Sequence, residues 1–295
     1  MPRVEAHDGS TGASRIHPRF GPNVEAMSAW TRWLVGTTSA VFLVGFAFAL
    51  APPGPLLTID DIAYLAMGRT IGGEGGAPMP AQSTYGPLYP MLLAPGWLLG
   101  LEGDGMITYA RMVNALAGAA TVPALTSLLR RLFPEIDHRR VLVAAIVGAV
   151  LPAALLTSSI VWTERLLALL VVLALLALFH ALEAATTRSA WGAVAAAVLL
   201  FAGHPRLGVS AAVVIVASGW SARSRGKGAT AAVVVSGVVG LSFVEWLRRS
   251  LSTATFDDPG TYDAVDLASR RGLGEAMQML QHGLGALTYV VLAGT

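Results

Sequence analysis

The chain has 295 residues, of which 54% are hydrophobic and only 13% charged, with a formal net charge of +2 and a mean hydropathy of +0.62. A soluble domain carries about 25% charged residues, so this composition excludes an ordinary soluble protein, and so small a net charge gives no electrostatic case for nucleic acid. Cysteine is absent, which excludes disulfides and thiolate metal sites.

Residues 1–32 are polar and hold Arg3, Arg15, Arg19 and Arg32 together with Pro18 and Pro22. An apolar run of full spanning length follows, rather than the short core of a signal peptide. The expected division is a disordered cytoplasmic tail over 1–32 and a membrane-embedded region over 33–295. A helical span needs about 20 apolar residues. Residues 33–51 meet that, as do 107–129, 141–158 and 166–182, with shorter apolar pieces at 191–203, 207–220 and 233–246. A last apolar piece starts near Met277 and runs to Thr295, which reads as a protein lacking C-terminal spans. The expected fold class is all-α, a polytopic transmembrane helical protein of about eight spans with juxtamembrane helices on its outer face.

Charge placement orients these spans, because cytoplasmic loops carry the excess of Arg and Lys. With the tail inside, the first span carries Asp60 and Asp61 outside. The stretch 85–101 is interrupted by Pro87, Pro90 and Pro95. It is expected to stay on the outer side as a broken juxtamembrane or re-entrant helix, which keeps Arg130, Arg131, Arg139 and Arg140 inside. A single helix over 191–220 would be about 45 Å long, too long for a hydrocarbon core of about 30 Å. A hairpin turning at Gly203-His204-Pro205-Arg206 is preferred, and it returns Arg223, Arg225 and Lys227 to the inside. Three polar clusters then share the outer face: 60–61, 164–165 and 204–206.

Each cluster has two readings. Asp60 and Asp61 read as a catalytic base with its partner, since a carboxylate at a low-dielectric surface gains basicity. Asp61 could instead cap the helix that begins at Thr58. Glu164 reads as a second carboxylate in the same cavity with Arg165 on a phosphate, or the two as a self-compensating pair. His204 and Arg206 read as ligands of an anionic headgroup, or Arg206 as a snorkelling turn residue. Arg111 could bind phosphate or pair with Glu102 or Asp104. Tyr85 and Tyr89 read as interfacial anchors, as a wall of the active site, or both. Gly72-Gly73-Glu74-Gly75-Gly76 reads as a flexible tip, because no strand precedes it. Asp257, Asp258, Asp263 and Asp266 lack the spacing of a calcium loop and read as a solvated outer loop.

In order and spacing these motifs resemble the GT-C type membrane glycosyltransferases that use polyprenyl-phosphate sugars, the group of the protein O-mannosyltransferases and the aminoarabinose transferase of lipid A. The resemblance covers roughly residues 33–220. It rests on Asp60-Asp61 with Tyr64, Tyr85-Gly86-Pro87-Leu88-Tyr89-Pro90, Arg111-Met112-Val113-Asn114, Arg130-Arg131-Leu132-Phe133, Thr163-Glu164 and His204-Pro205-Arg206. The family commonly has Asp-Glu where this chain has Asp60-Asp61, and Thr-Arg-Pro where it has His204-Pro205-Arg206.

The resemblance implies a GT-C-like fold and transfer of a sugar from a polyprenyl-phosphate donor to an extracytoplasmic lipid, glycan or protein. Asp60, Asp61 and Glu164 would be catalytic. Tyr64, Tyr85, Arg111, Arg165, His204 and Arg206 would bind substrate. Asp60 would deprotonate the acceptor for an inverting displacement, with Arg and His residues stabilising the departing lipid phosphate. No cofactor is implied, and a divalent metal at the acidic pair stays open as an alternative. The implied location is the bacterial cytoplasmic membrane, with the site on its outer face. Alternative readings are a transporter or flippase of lipid-linked sugar, to which broken helices and intramembrane arginine are also suited, and an inactive truncated homologue.

Overall fold

The computed structural model describes residues 24–51, 59–73 and 85–255. Every regular element among them is a helix: α1 (Val24–Leu50), α2 (Ile59–Ile71), α3 (Leu88–Leu98), α4 (Gly103–Leu132), α5 (His138–Val150), α6 (Pro152–Leu156), α7 (Glu164–Ala184), α8 (Thr187–Gly203), α9 (Gly208–Ser221) and α10 (Lys227–Thr255), with two short 3₁₀ turns on either side of α9. The tail over 1–23, the glycine tip beyond Gly73 and the aspartates beyond Thr255 lie outside the described residues.

Among the described residues five segments are long and apolar enough to cross a membrane: Ala29–Leu50, Gly103–Leu132, Glu164–Ala184, Pro205–Arg225 and Lys227–Thr255. The expectation of about eight is therefore met only in part. The piece at 141–158 is not one span. Pro152 forces Leu151 into an extended conformation, with φ −51° and ψ 143°, because its ring crowds the preceding residue out of the helical region. The 13 residues of α5 reach about 20 Å, short of a core of about 30 Å. Helix α8 is apolar but has only 17 residues, and the piece after Met277 lies outside the described residues.

The stretch after Tyr85 forms only the 11 residues of α3, headed by Pro87 and holding Pro95 inside. At about 16 Å it cannot span. It lies against α2 and α4. The long stretch over 191–220 breaks at His204, and α9 packs back along α8.

Three apolar clusters hold the bundle. Tyr64, Met67, Tyr89, Leu93, Met106, Leu166, Leu170 and Leu200 join α2, α3, α4, α7 and α8. Small residues dominate the second, where Ala190, Ala193, Ala197 and Ala211 let α8 and α9 approach closely beneath Val214, Ile215 and Val233, as helices in lipid require. Val41, Val122, Leu142, Ala145 and Ala149 fasten α1 to α4 and α5.

Chain direction gives the bundle two chemically different ends. At one end Thr255, in the last turn of α10, donates to Thr70 in the last turn of α2 at 3.0 Å, and the acidic first turn of α2 meets the loop that opens α7. At the other end Arg130 lies over Trp30, Trp30 meets His138, Arg131 pairs with Glu183 at 3.0 Å, and Arg225 reaches the Ala185 carbonyl at 3.5 Å. Arg139, Arg140, Arg188, Arg223 and Lys227 belong to the same set of helix ends.

Candidate functional site

The acidic pair opens α2, where carboxylates complement the unpaired amides of a first turn. Consecutive residues of a helix point about 100° apart, and the two side chains part accordingly. Asp61 is fully buried and accepts a hydrogen bond from the Val161 amide at 2.7 Å. Asp60 is half-buried and accepts a short hydrogen bond from the Tyr85 phenol through Oδ1.

The buried carboxylate is one of several groups that hold a single non-helical loop, 157–163. Arg165 donates to Ser158 Oγ at 2.7 Å and to the Ala149 carbonyl at 2.8 Å. Arg111 donates to the Ser159 carbonyl at 3.0 Å, and Asn114 to the Ile160 carbonyl at 2.7 Å. The Tyr64 hydroxyl and Thr163 Oγ1 lie 3.2 Å apart. Buried irregular backbone survives only where protein satisfies its amides and carbonyls, and these side chains do so for the Ser159 and Ile160 carbonyls and the Val161 amide.

This placement corrects part of the sequence reading. Arg111, read on phosphate or paired with Glu102 or Asp104, and Arg165, read on phosphate or paired with Glu164, are both buried and donate to the Ser159 carbonyl, the Ser158 hydroxyl and the Ala149 carbonyl of α5. The Arg165 guanidinium lies against α4 at Gly118, close enough that a Cβ there would come within 3.1 Å of it. Arg165 does not form the pair with Glu164 either, because residues adjacent on a helix do not face one another. Tyr64 likewise points into the core, where its ring meets Tyr85 at 4.7 Å and Tyr89 at 5.2 Å.

What stays at the open end is a smaller set: Asp60, Tyr85, Glu164, His204 and Arg206. The segment that carries Tyr85 runs against the end of α8. A Cβ on Gly86 would collide with the carbonyl oxygens of Ala202 and Gly203, so only glycine permits this crossing. It brings Tyr85 beside the His204 turn. Glu164 is exposed at the start of α7 and lies within electrostatic reach of Asp60 and Arg206.

His204 Nδ1 accepts the Arg206 amide at 3.1 Å, capping the 3₁₀ turn Pro205–Leu207. A neutral ring bonded in this way carries its proton on Nε2. Burial first, and the Arg206 charge second, push its pKa down to about 4, with Asp60 opposing them. Burial, then the hydrogen bond to Asp60, holds the Tyr85 phenol well above its ordinary value. The Arg206 guanidinium is exposed and makes no side-chain hydrogen bond or ion pair with the described residues.

Among the described residues no three His, Asp or Glu side chains are grouped to hold a metal. Asp61 is turned inward, away from Asp60. The residues present suit proton abstraction by a carboxylate beside a site for an anion. Two contributors were not singled out as functional from sequence: Asn114, which braces the loop, and Gly86, which permits the crossing. In the sequence both stand inside motifs, Tyr85–Pro90 and Arg111–Asn114, without a role of their own. Set against known proteins, the chain matches no family model, no curated protein and no solved structure.

Proposed function

We propose that this chain is a membrane glycosyltransferase that moves a sugar from a polyprenyl-phosphate donor to an acceptor outside the cytoplasm. The observation that carries the reading is Asp60, held by Tyr85, at the same end of the bundle as Glu164, His204 and the exposed Arg206. The motif order described above supplies the reaction class. Asp60 accepts the proton of the acceptor hydroxyl or amine. That oxygen or nitrogen attacks the anomeric carbon from the face opposite the phosphate. The sugar–phosphate C–O bond breaks, and the electron pair leaves with the polyprenyl phosphate. Arg206 neutralises the leaving charge, and the Nε2–H of neutral His204 can donate to it. Asp61 acts by holding the loop that begins α7, rather than by touching substrate.

Helix ends rich in arginine favour the cytoplasmic side. The opposite end, with Asp60, then faces outward in a bacterial cytoplasmic membrane. Polyprenyl-linked sugars are presented there without nucleotide.

Membranes from cells expressing the chain should transfer radiolabelled sugar from at least one member of a panel of polyprenyl-phosphate sugars. Asp60→Asn should abolish the transfer. Undiminished transfer by Asp60→Asn overturns Asp60 as the base. No transfer from any donor, with donor binding intact, overturns the enzyme and favours movement of lipid-linked sugar.

A further inference from the structure

The end of the bundle opposite Asp60 carries a groove that the proposed reaction does not use. The 21 residues of Pro205–Arg225 cover about 31 Å, so this groove lies a full bilayer core away from Arg206. It has a volume of about 600 Å³ and runs between the last turn of α9 and the first turns of α10. Its walls are Val216, Ala231 and Val234, and its mouth holds Trp220, Arg223, Lys227 and Thr230. The floor is Gly219, where a Cβ would lie 2.6 Å from Val234 Cγ2. The turn depends on Gly226 at φ +103°, a conformation that other residues rarely adopt.

The polarity within the groove is graded. Trp220 and Val216 are largely exposed, although they are apolar and lie on helices of spanning length. Arg223 stacks on the Trp220 ring at 3.8 Å, which fixes its guanidinium at the mouth and leaves its edge to donate. Lys227, the sole lysine of the chain, is exposed beside it. Neither cation pairs with an acid among the described residues. Glu183, the acid at the end of α7, is bonded to Arg131. Two cations and a hydroxyl above an apolar slot match a molecule with a phosphate at one end and hydrocarbon at the other.

We infer that this groove is a binding site for an anionic glycerophospholipid of the adjoining leaflet. Its headgroup phosphate would sit between Arg223 and Lys227, near the Thr230 hydroxyl, with an acyl chain along Val216 and Val234. The inference rests on the multi-pass reading and not on the proposed transfer reaction. In the proposed orientation the leaflet is the cytoplasmic one, where juxtamembrane cations attract anionic lipid.

The test is native mass spectrometry of the detergent-purified full chain, titrated with phosphatidylglycerol, phosphatidylcholine or inorganic phosphate. Phosphatidylglycerol adducts should be retained at a defined stoichiometry, with neither phosphatidylcholine nor inorganic phosphate replacing them. Each cation near a membrane surface contributes several-fold in affinity, so Arg223→Gln with Lys227→Gln should weaken retention about tenfold or more. The paired control Arg139→Gln with Arg140→Gln should leave it unchanged. Equal retention by the Arg223/Lys227 variant, or an equal loss in the control, overturns the site. Equal retention of phosphatidylcholine also overturns it. Thermal midpoints of both variants within a degree or two of the parent show that any loss is not unfolding.

Discussion

Asp61 accepts a hydrogen bond at 2.7 Å from the amide of Val161, a residue 100 positions further along the chain. That contact ties the first turn of α2 to the loop that begins α7. It also separates the roles of two adjacent aspartates, one turned into protein and the other toward Tyr85.

Asp61→Ala leaves the Val161 amide buried without its partner. A lost partner of this kind costs about 1–3 kcal/mol, so the thermal midpoint in detergent should fall. Protease cleavage within 157–163 should rise with it. An unchanged midpoint and cleavage pattern would contradict the bracing role. Asn114→Ala should have a smaller effect of the same sign, through the Ile160 carbonyl.

Tyr85→Phe removes the phenol that holds Asp60 and leaves the ring packed on Tyr64. Stability should change by less than about 1 kcal/mol, while transfer should drop by one to two orders of magnitude through loss of orientation. Asp60→Asn should remove transfer entirely. Equal residual activity in the two variants would place Tyr85 on the same footing as the base and contradict a positioning role.

Gly86→Ala puts a methyl group into the carbonyls of Ala202 and Gly203. Backbone cannot yield as a flexible side chain does, so the expected cost is about 1–3 kcal/mol or more. Gly36→Ala is the control, since nothing lies within 4 Å of its Cβ position inside α1, and it should leave stability unchanged or raise it by up to about 1 kcal/mol. Equal midpoints for the two variants would refute the close crossing of the Tyr85 segment and α8.

His204 sets a pH dependence. Its folded pKa is about 4, below the unfolded value of about 6.5. Between these values the unfolded chain binds more protons, so stability is full above about pH 6.5 and falls as the pH drops toward 4. The change should be on the order of 2 kcal/mol. Unfolding midpoints measured between pH 7 and pH 4.5 should fall in the parent. They should fall less in His204→Asn, whose side-chain oxygen can still cap the Arg206 amide. Parallel declines in both proteins would assign the effect to other groups.

The sequence alone was sufficient for the all-helical membrane class, for the short proline-broken α3 and for the break at His204. Hydrophobic run length, prolines and arginine placement are local properties that follow from composition along the chain. The acidic pair, Glu164 and the His204 turn were also legible as one polar end, because alternating spans return loops to the same side. Which of the polar residues face outward was not legible. Arg111 and Arg165 look like phosphate ligands in a linear reading, since a cation in an apolar run demands a partner without naming it. Only the tertiary structure supplied those partners, a carbonyl and a hydroxyl of the loop over 157–163 and the Ala149 carbonyl of α5. The same holds for Asp61 and Asp60, identical in type and adjacent in sequence. The helical turn between them sends one into a fully packed interior and the other to Tyr85, and that choice depends on helices dozens of residues away.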